Sequence, residues 1–339
     1  MPHEGERARH IALGRIVENE RVRSFLSRCV HRDGQAVAID AADRQIRVAD
    51  GAEIPRFVVA VDGSYSAVTI ETGFPGAELG FVSVATVLLD VDLIDALRQE
   101  RTPDPAEVQR TTLADGEEFV LPGSNVQLED TRDPKHSFRR QLHDALSEMR
   151  CDPSGETLLD TYHVLLGYKS DSSRELCPYD PDCGGLLKLL KRGHGEYTCE
   201  CVHSRPLYGT DALRIHEAFN PSRSSGEAYG EAMRVVEHLT VVNFLRTVEA
   251  KGWLDSLRRI AIVLDGPLGV FGHPAWLKDA IQKELQRING LVVGLTGRDM
   301  LLLGIEKTGQ FMEHFVQLDT TATGSPGRFP AGSAMLLRE

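Results

Sequence analysis

Two aspartates at the ends of apolar runs are the residues of this chain best suited to chemistry. Val58-Val59-Ala60-Val61-Asp62-Gly63-Ser64 and Ile260-Ala261-Ile262-Val263-Leu264-Asp265-Gly266-Pro267 each read as a buried strand closed by Asp-Gly. A carboxylate delivered where a strand leaves the core costs free energy unless positive charge meets it. Two such strands side by side would aim Asp62 and Asp265 at one spot. Paired oxygens of that kind are what a hard divalent cation, Mn²⁺ or Mg²⁺, takes as ligands.

A third carboxylate lies in the strongest helical pattern, residues 227–250. Positions 233, 237, 241, 244 and 248 share a side, and Glu237 interrupts Met, Val, Phe and Val there. Glu237 either pairs with Arg234 one turn earlier or is aimed, by a helix packed on the sheet, at the cation of Asp62 and Asp265. Glu249 is a weaker substitute, because negative charge near a helix end meets an unfavourable dipole. Lys307, after the apolar run 301–305, could bind phosphate, and His314, on the helix that follows, could carry a proton or neighbour a metal. Both are also ordinary surface residues.

A second set of ligand types is bunched in Cys177-Pro-Tyr-Asp-Pro-Asp-Cys183 and Cys199-Glu-Cys201. Two close pairs joined by a short basic excursion suit tetrahedral Zn²⁺ holding a small ribbon that has too little core of its own. Unmetallated thiols are the alternative, and His194 or His203 could replace one cysteine. Six cysteines in 339 residues are too few for a disulfide scaffold.

The elements that must position these residues follow from periodicity. Residues 1–30 read as a helical arm, and 36–49 as a small hairpin turning at Asp40 to Asp43. After Asp62, residues 67–70 and 80–89 supply two further strands of an antiparallel meander. Residues 92–134 are acidic and broken by Pro and Gly, which predicts surface helix and loop. Residues 136–150 carry His136, Arg139, Arg140, His143 and Arg150, either one wall of a groove or a solvated helix face. Residues 158–166 form an apolar helix or strand. Pro274 opens a helix to about Ile288, and strands are expected at 291–295 and 301–305, with loop from 320 to 330. The expected division is 1–56 as arm and hairpin, 57–170 and 211–339 as two parts of one domain, and 171–210 as the cysteine insertion.

Composition narrows the function. Apolar residues at 41% allow a real core, and a formal charge of −12 argues against a general nucleic-acid coat while leaving room for a local groove. No apolar run reaches bilayer length and the first residues lack a signal-peptide core, so the expectation is a cytoplasmic protein with no membrane partner. The phosphate-binding Gly-x-x-x-x-Gly-Lys loop, the His-Glu-x-x-His helix, the Gly-x-Ser-x-Gly elbow and the dinucleotide fingerprint are all missing. Metal-assisted hydrolysis with carboxylates is the chemistry left.

The order of these features resembles the ribonuclease H-like arrangement, an α/β fold with a mixed sheet and flanking helices. More narrowly, Val61-Asp62-Gly63-Ser64, Arg234-Val-Val-Glu237-His238-Leu239, Val263-Leu264-Asp265-Gly266-Pro267-Leu268 and Gly304-Ile-Glu-Lys307-Thr-Gly resemble the NurA nuclease family, in a bacterial form with a zinc-ribbon-like cysteine insertion. The match runs discontinuously over about residues 57–317. It implies a Mn²⁺- or Mg²⁺-dependent deoxyribonuclease, exonuclease or endonuclease, that dimerises and works with a HerA-type hexameric ATPase in DNA repair at ends or in antiviral defence. On that resemblance Asp62, Glu237 and Asp265 are metal ligands of a two-metal mechanism, with Lys307 and His314 assisting. The competing expectation is a non-catalytic nuclease-like scaffold that docks on a translocase or on DNA.

Overall fold

A computed structural model describes residues 19–29, 45–47, 54–72, 74–98, 111–170, 177–180, 182–183, 191, 196–199, 201, 205–323 and 333–335. In chain order its elements are α1 (Glu20–Leu26), β1 (Gln45–Arg47), β2 (Phe57–Thr69), β3 (Glu78–Asp90), α2 (Val91–Arg98), β4 (Thr112–Pro122), α3 (Pro134–Glu148), α4 (Leu158–Gly167), β5 (Glu196–Thr198), β6 (Pro206–Tyr208), α5 (Gly226–Ala250), β7 (Ile260–Asp265), α6 (Trp276–Thr296), β8 (Leu301–Ile305), α7 (Gln310–Thr323) and β9 (Ser333–Met335). Short 3₁₀ turns lie at Gly209–Leu213, Ile215–Glu217 and Leu254–Arg259.

Two units are distinguished. One comprises Met1–Ala52 with Thr308–Glu339, the other Glu53–Lys307. In the first, α1 is capped by the Asn19 side chain, which accepts from the Arg21 amide, and β1 pairs antiparallel with β9. The expected helix around Ile11 and the first half of the expected hairpin lie outside the described residues, as do His194 and His203.

The second unit is built on a five-stranded mixed sheet in the order β4-β3-β2-β7-β8. β2, β3 and β4 form an antiparallel meander, and β7 and β8 run parallel to β2 on its other side. The expected break at residues 65–66 does not occur, because β2 pairs with β3 without interruption from Phe57–Asp90 to Thr69–Glu78. The third strand of the meander comes instead from residues 112–122, where loop and helix were expected. The first seven residues of β4 are exposed, so no apolar alternation marks them. Their ladder to β3, from Leu79–Pro122 to Leu89–Thr112, is what makes them a strand.

Helix α5 lies against β2 and β3 on one side and against α4 and α6 on the other. Ala228, Ala232, Val235, Leu239 and Val242, at helical spacing, are all fully buried. The helix is therefore enclosed nearly all round rather than carrying one apolar stripe. The expected strand at 291–295 is the last part of α6: Ile288 and Val292, four residues apart, are both buried, and helical packing outweighs the β-branched composition. Gly297, at φ 71°, terminates that helix.

The basic stretch at 136–150 divides: His136 and Arg139 face the core, Arg140 pairs with Asp130 at the surface, and Arg150 lines a concavity with Asp115, Glu117 and Lys251. Asp133 caps α3, and His136, Phe138, Arg139 and Leu142 turn inward. Arg139 and Asp211, 2% and 1% exposed, form a two-pronged pair with Nε and Nη2 at 2.7 and 2.6 Å from the carboxylate oxygens. Arg139 also donates to the Pro206 carbonyl and to the Tyr179 hydroxyl, and the Tyr208 amide donates to Asp211. Burial alone would raise the Asp211 pKa, but the adjacent guanidinium holds it below the ordinary carboxylate value. Removing one partner strands the other charge in the core. Asp211→Ala is therefore expected to cost about 3–5 kcal/mol, read as a lower urea midpoint at unchanged slope.

Candidate functional site

Strand alternation sets the first two carboxylates. Val59 and Val61 are buried, and Asp62, the next residue, points to the opposite face and is exposed. β2 and β7 are parallel with Val61 opposite Leu264, so one step on Asp62 stands opposite Asp265. Paired residues of a parallel ladder project from the same face about 4.8 Å apart. Asp62 and Asp265 are thus neighbours on one face.

Glu237 arrives from the helix layer. It is 3% exposed, and it reaches the sheet at Gly63, where an added Cβ would lie 2.6 Å from its Oε1 and 2.8 Å from Met233 Cγ. Glycine at 63 is what admits the carboxylate. The expected alternative, an ion pair with Arg234, is not formed, and Arg234 is exposed. Burial drives the Glu237 carboxyl up to about 7. The Gly63 backbone and Arg234 act downward, while the charges of Asp62 and Asp265 act upward. Those two carboxylates therefore lie within electrostatic reach of the third.

Lys307 closes the group. The ladder continues past Asp265, since the Gly266 amide donates to the Ile305 carbonyl at 2.9 Å. The two strands come this close because residue 304 is glycine, whose Cβ would lie 2.6 Å from the Gly266 carbonyl oxygen. Two residues beyond Ile305, Lys307 Nζ donates to Asp265 Oδ2 at 2.5 Å, and its pKa is raised by that bond and by the charges of Asp265 and Asp62. The structure places Asp62, Asp265 and Lys307 on one face of the sheet, while Glu237 meets the strand at Gly63 from the helix-packed face, within electrostatic reach of both aspartates. His314 belongs to the other unit, where it is exposed on α7. Glu249 is taken up elsewhere: Arg287 donates to both of its oxygens, at 2.8 and 2.6 Å.

A contact absent from the sequence reading fixes the loop after Asp265. Glu231, 2% exposed on α5, accepts from the His273 amide at 3.1 Å and lies 3.0 Å from His273 Nδ1. The helix that carries Glu237 therefore also holds residues 266–275. A second buried acid six residues before Glu237 was the available signal, and only the fold supplies its partner.

The four cysteines form a separate cluster. Their Sγ atoms all lie within 4.8 Å of one another, with Cys177 and Cys183 each 3.3 Å from Cys199. None of the four is in a disulfide, and Cys177, Cys199 and Cys201 are buried. Burial raises the Cys199 thiol pKa strongly. Thiolates about 2.3 Å from one ion at tetrahedral angles stand about 3.8 Å apart, within the spread observed. Among the described residues this is the one group of three or more His, Cys, Asp or Glu side chains whose donor atoms converge so closely. The oxygens of Asp62, Glu237 and Asp265 do not converge to that distance. No described helix is long and apolar enough to cross a membrane.

Comparison with protein-family models, with curated proteins and with solved structures finds no match.

The Glu237 environment has a thermodynamic consequence. A folded pKa of about 7 against an ordinary 4.5 means that the folded state binds more protons between those values, so its stability falls as pH rises through that window. By pH 8 the cost reaches up to roughly 3 kcal/mol. In chelator-treated protein, Glu237→Gln is expected to melt higher than the unsubstituted chain at pH 8 and no higher at pH 5. A lower melting temperature at pH 8 would show instead that the charged form is stabilised by contacts.

Proposed function

We propose that this protein is a metal-dependent deoxyribonuclease of NurA type with a ribonuclease H-like core. The observation that supports the reading is the placement of Asp62 and Asp265 side by side at the ends of two parallel strands, with Lys307 on Asp265 and Glu237 of the packed helix within electrostatic reach. A first strand bearing Asp62, an antiparallel meander, a Glu-bearing helix and a later parallel strand ending in Asp265 occur in the order that arrangement requires.

Asp62, Glu237 and Asp265 would hold Mn²⁺ or Mg²⁺, and their all-oxygen donor set fits these hard ions. The bound ions would activate water and neutralise charge at a phosphodiester. The chain's own groups do the rest. Asp62 and Asp265 face outward where a strand of DNA can reach them, while Glu237 is held in place by burial. Lys307 is poised to leave Asp265 for a phosphate oxygen, adding positive charge where negative charge develops. His314 is assigned the proton-carrying role on the resemblance alone. Dimerisation, a HerA-type hexameric ATPase partner and a cytoplasmic setting belong to the same proposal.

The cysteine cluster supports structural Zn²⁺ at Cys177, Cys183, Cys199 and Cys201. Arg139 ties the segment to the main core through Tyr179 and Pro206, so a metal there would secure a ribbon whose strands β5 and β6 are three residues each.

Two measurements test these assignments. Purified protein with Mn²⁺, assayed with and without its ATPase partner, should cleave single- or double-stranded DNA, and Asp62→Asn or Asp265→Asn should reduce cleavage by roughly 100-fold or more with unchanged circular dichroism. Unaltered cleavage by either variant removes that residue from the site, and DNA binding with no cleavage under any condition leaves the scaffold. Elemental analysis should find about one zinc per chain, lost in Cys199→Ser, whereas a fully folded zinc-free preparation overturns the zinc assignment.

A further inference from the structure

Between the sheet and the second half of α5 the packing leaves an open cavity of about 370 Å³, within the range of small-molecule sites. Val59, Val84 and Leu88 line it from β2 and β3, and Leu158, Phe244 and Val248 line it from the helices. Leu113 and Trp253, which also border it, are 71% and 57% exposed. Large apolar side chains left in water around an apolar hollow are a surface that a ligand covers with gain.

The register of β4 places the first polar groups. Leu113, Asp115 and Glu117 stand opposite Leu88, Thr86 and Val84 of β3, so alternation puts all three on the side where Phe119 and Leu121 are buried farther along. Two carboxylates thus hold helix-facing positions and line the cavity, and neither forms an ion pair among the described residues. Acids on an edge strand discourage pairing with other chains, but Glu118 on the other face serves that purpose without a hollow beside it. The cations in the same wall are engaged. Lys251 pairs with Asp152 and lies 5.1 Å from the centre of the Trp253 ring, while Arg150 Nε donates to the Glu148 carbonyl at 3.3 Å. Burial raises the Glu117 pKa, Asp115 adds to this, and the Arg150 backbone and charge oppose it without cancelling it. Cys151, also in the wall, feels the balance: burial, then the charges of Glu117, Asp115 and Asp152, push its thiol up to about 12. The field in the cavity is therefore negative. On the α5 side the Thr247 hydroxyl oxygen is enclosed with no hydrogen-bond partner among the described residues, which a polar group of a ligand would supply.

We propose that this cavity binds a small organic cation, an ammonium group on an apolar body, with the body between β2, β3 and α5 and the ammonium at Asp115 and Glu117. Phe244 is seven residues beyond Glu237 along α5, about 10 Å, so the cavity is distinct from the carboxylate group and its ligand does not depend on nuclease activity.

The test uses n-octylamine, n-octanoate and octan-1-ol, which share one tail and differ in charge. Each is titrated into the full chain at pH 7, below its aggregation threshold, and followed by calorimetry and by tryptophan emission. Octylamine should bind at one site per chain, shift the emission to shorter wavelength, and bind at least tenfold more tightly than octanoate. Asp115→Asn/Glu117→Gln should weaken octylamine about tenfold while the octan-1-ol affinity and the melting temperature hold. Trp253→Phe should abolish the emission shift and keep the heat of binding, since Trp276, the other tryptophan, does not border the cavity. No saturable binding of octylamine, several equivalents bound per chain, octanoate binding as tightly, or an octylamine affinity unchanged by the double substitution each overturns the assignment.

Discussion

A carboxylate pressed against the backbone of a strand is the constraint around which this molecule is arranged. Glu237 occupies the volume that any side chain at position 63 would need, so α5 can settle on β2 only because residue 63 is glycine. The helix is in turn surrounded by the sheet on one side and α4 and α6 on the other, and Leu239, Val242 and Leu245 are fully buried. Moving the helix outward to relieve the carboxylate would open that packing at about 25 cal/mol for each Å² of apolar surface exposed. The packing holds this buried acid, whose pKa burial raises, against the strand.

The same balance appears on the outer side of the helix layer. Glu284 is fully buried, and burial pushes its pKa up. Hydrogen bonds from Arg287, Arg246 and Tyr168 more than offset this and hold it at about 2. Arg246 joins Glu284 to Glu156, and Arg287 joins it to Glu249. α5 and α6 are locked together by these pairs, so β7 and β8, which flank α6 in sequence, are positioned on the same framework as Glu237. Polar contacts here supply alignment and apolar burial supplies most of the stabilisation.

Much of the site was legible because its signals are local. Asp62 and Asp265 each end an apolar run followed by glycine, and that pattern survives without tertiary information. Glu237 stood out as a charge at a buried helical position. The roles of Gly63 and Gly304 were not legible, since a glycine marks close approach only when the approaching atom is known. β4 escaped for the opposite reason: its exposed residues carry no periodicity, and backbone pairing to β3 determines them. Arg139 was read as surface because its partner, Asp211, lies beyond the cysteine segment. The end of α6 was read as a strand because Leu-Val-Val favours extended structure until Ile288 and Val292 are seen to share one buried side.

The two candidate metal centres differ in how far their donors have converged. Neutral thiols can be packed with their sulfurs 3.3 Å apart, because uncharged groups repel only on contact and burial favours the protonated form. Carboxylates at similar spacing would repel strongly in a poorly solvated site. The carboxylate group relieves this in two ways: Glu237 has a pKa near neutrality, and Asp265 turns to the Lys307 ammonium. On the proposed reading, a cation held at Asp62 and Asp265 would compete with Lys307 for the Asp265 carboxylate. The Gly266–Ile305 ladder bond fixes the backbone two residues before Lys307 independently of that ion pair.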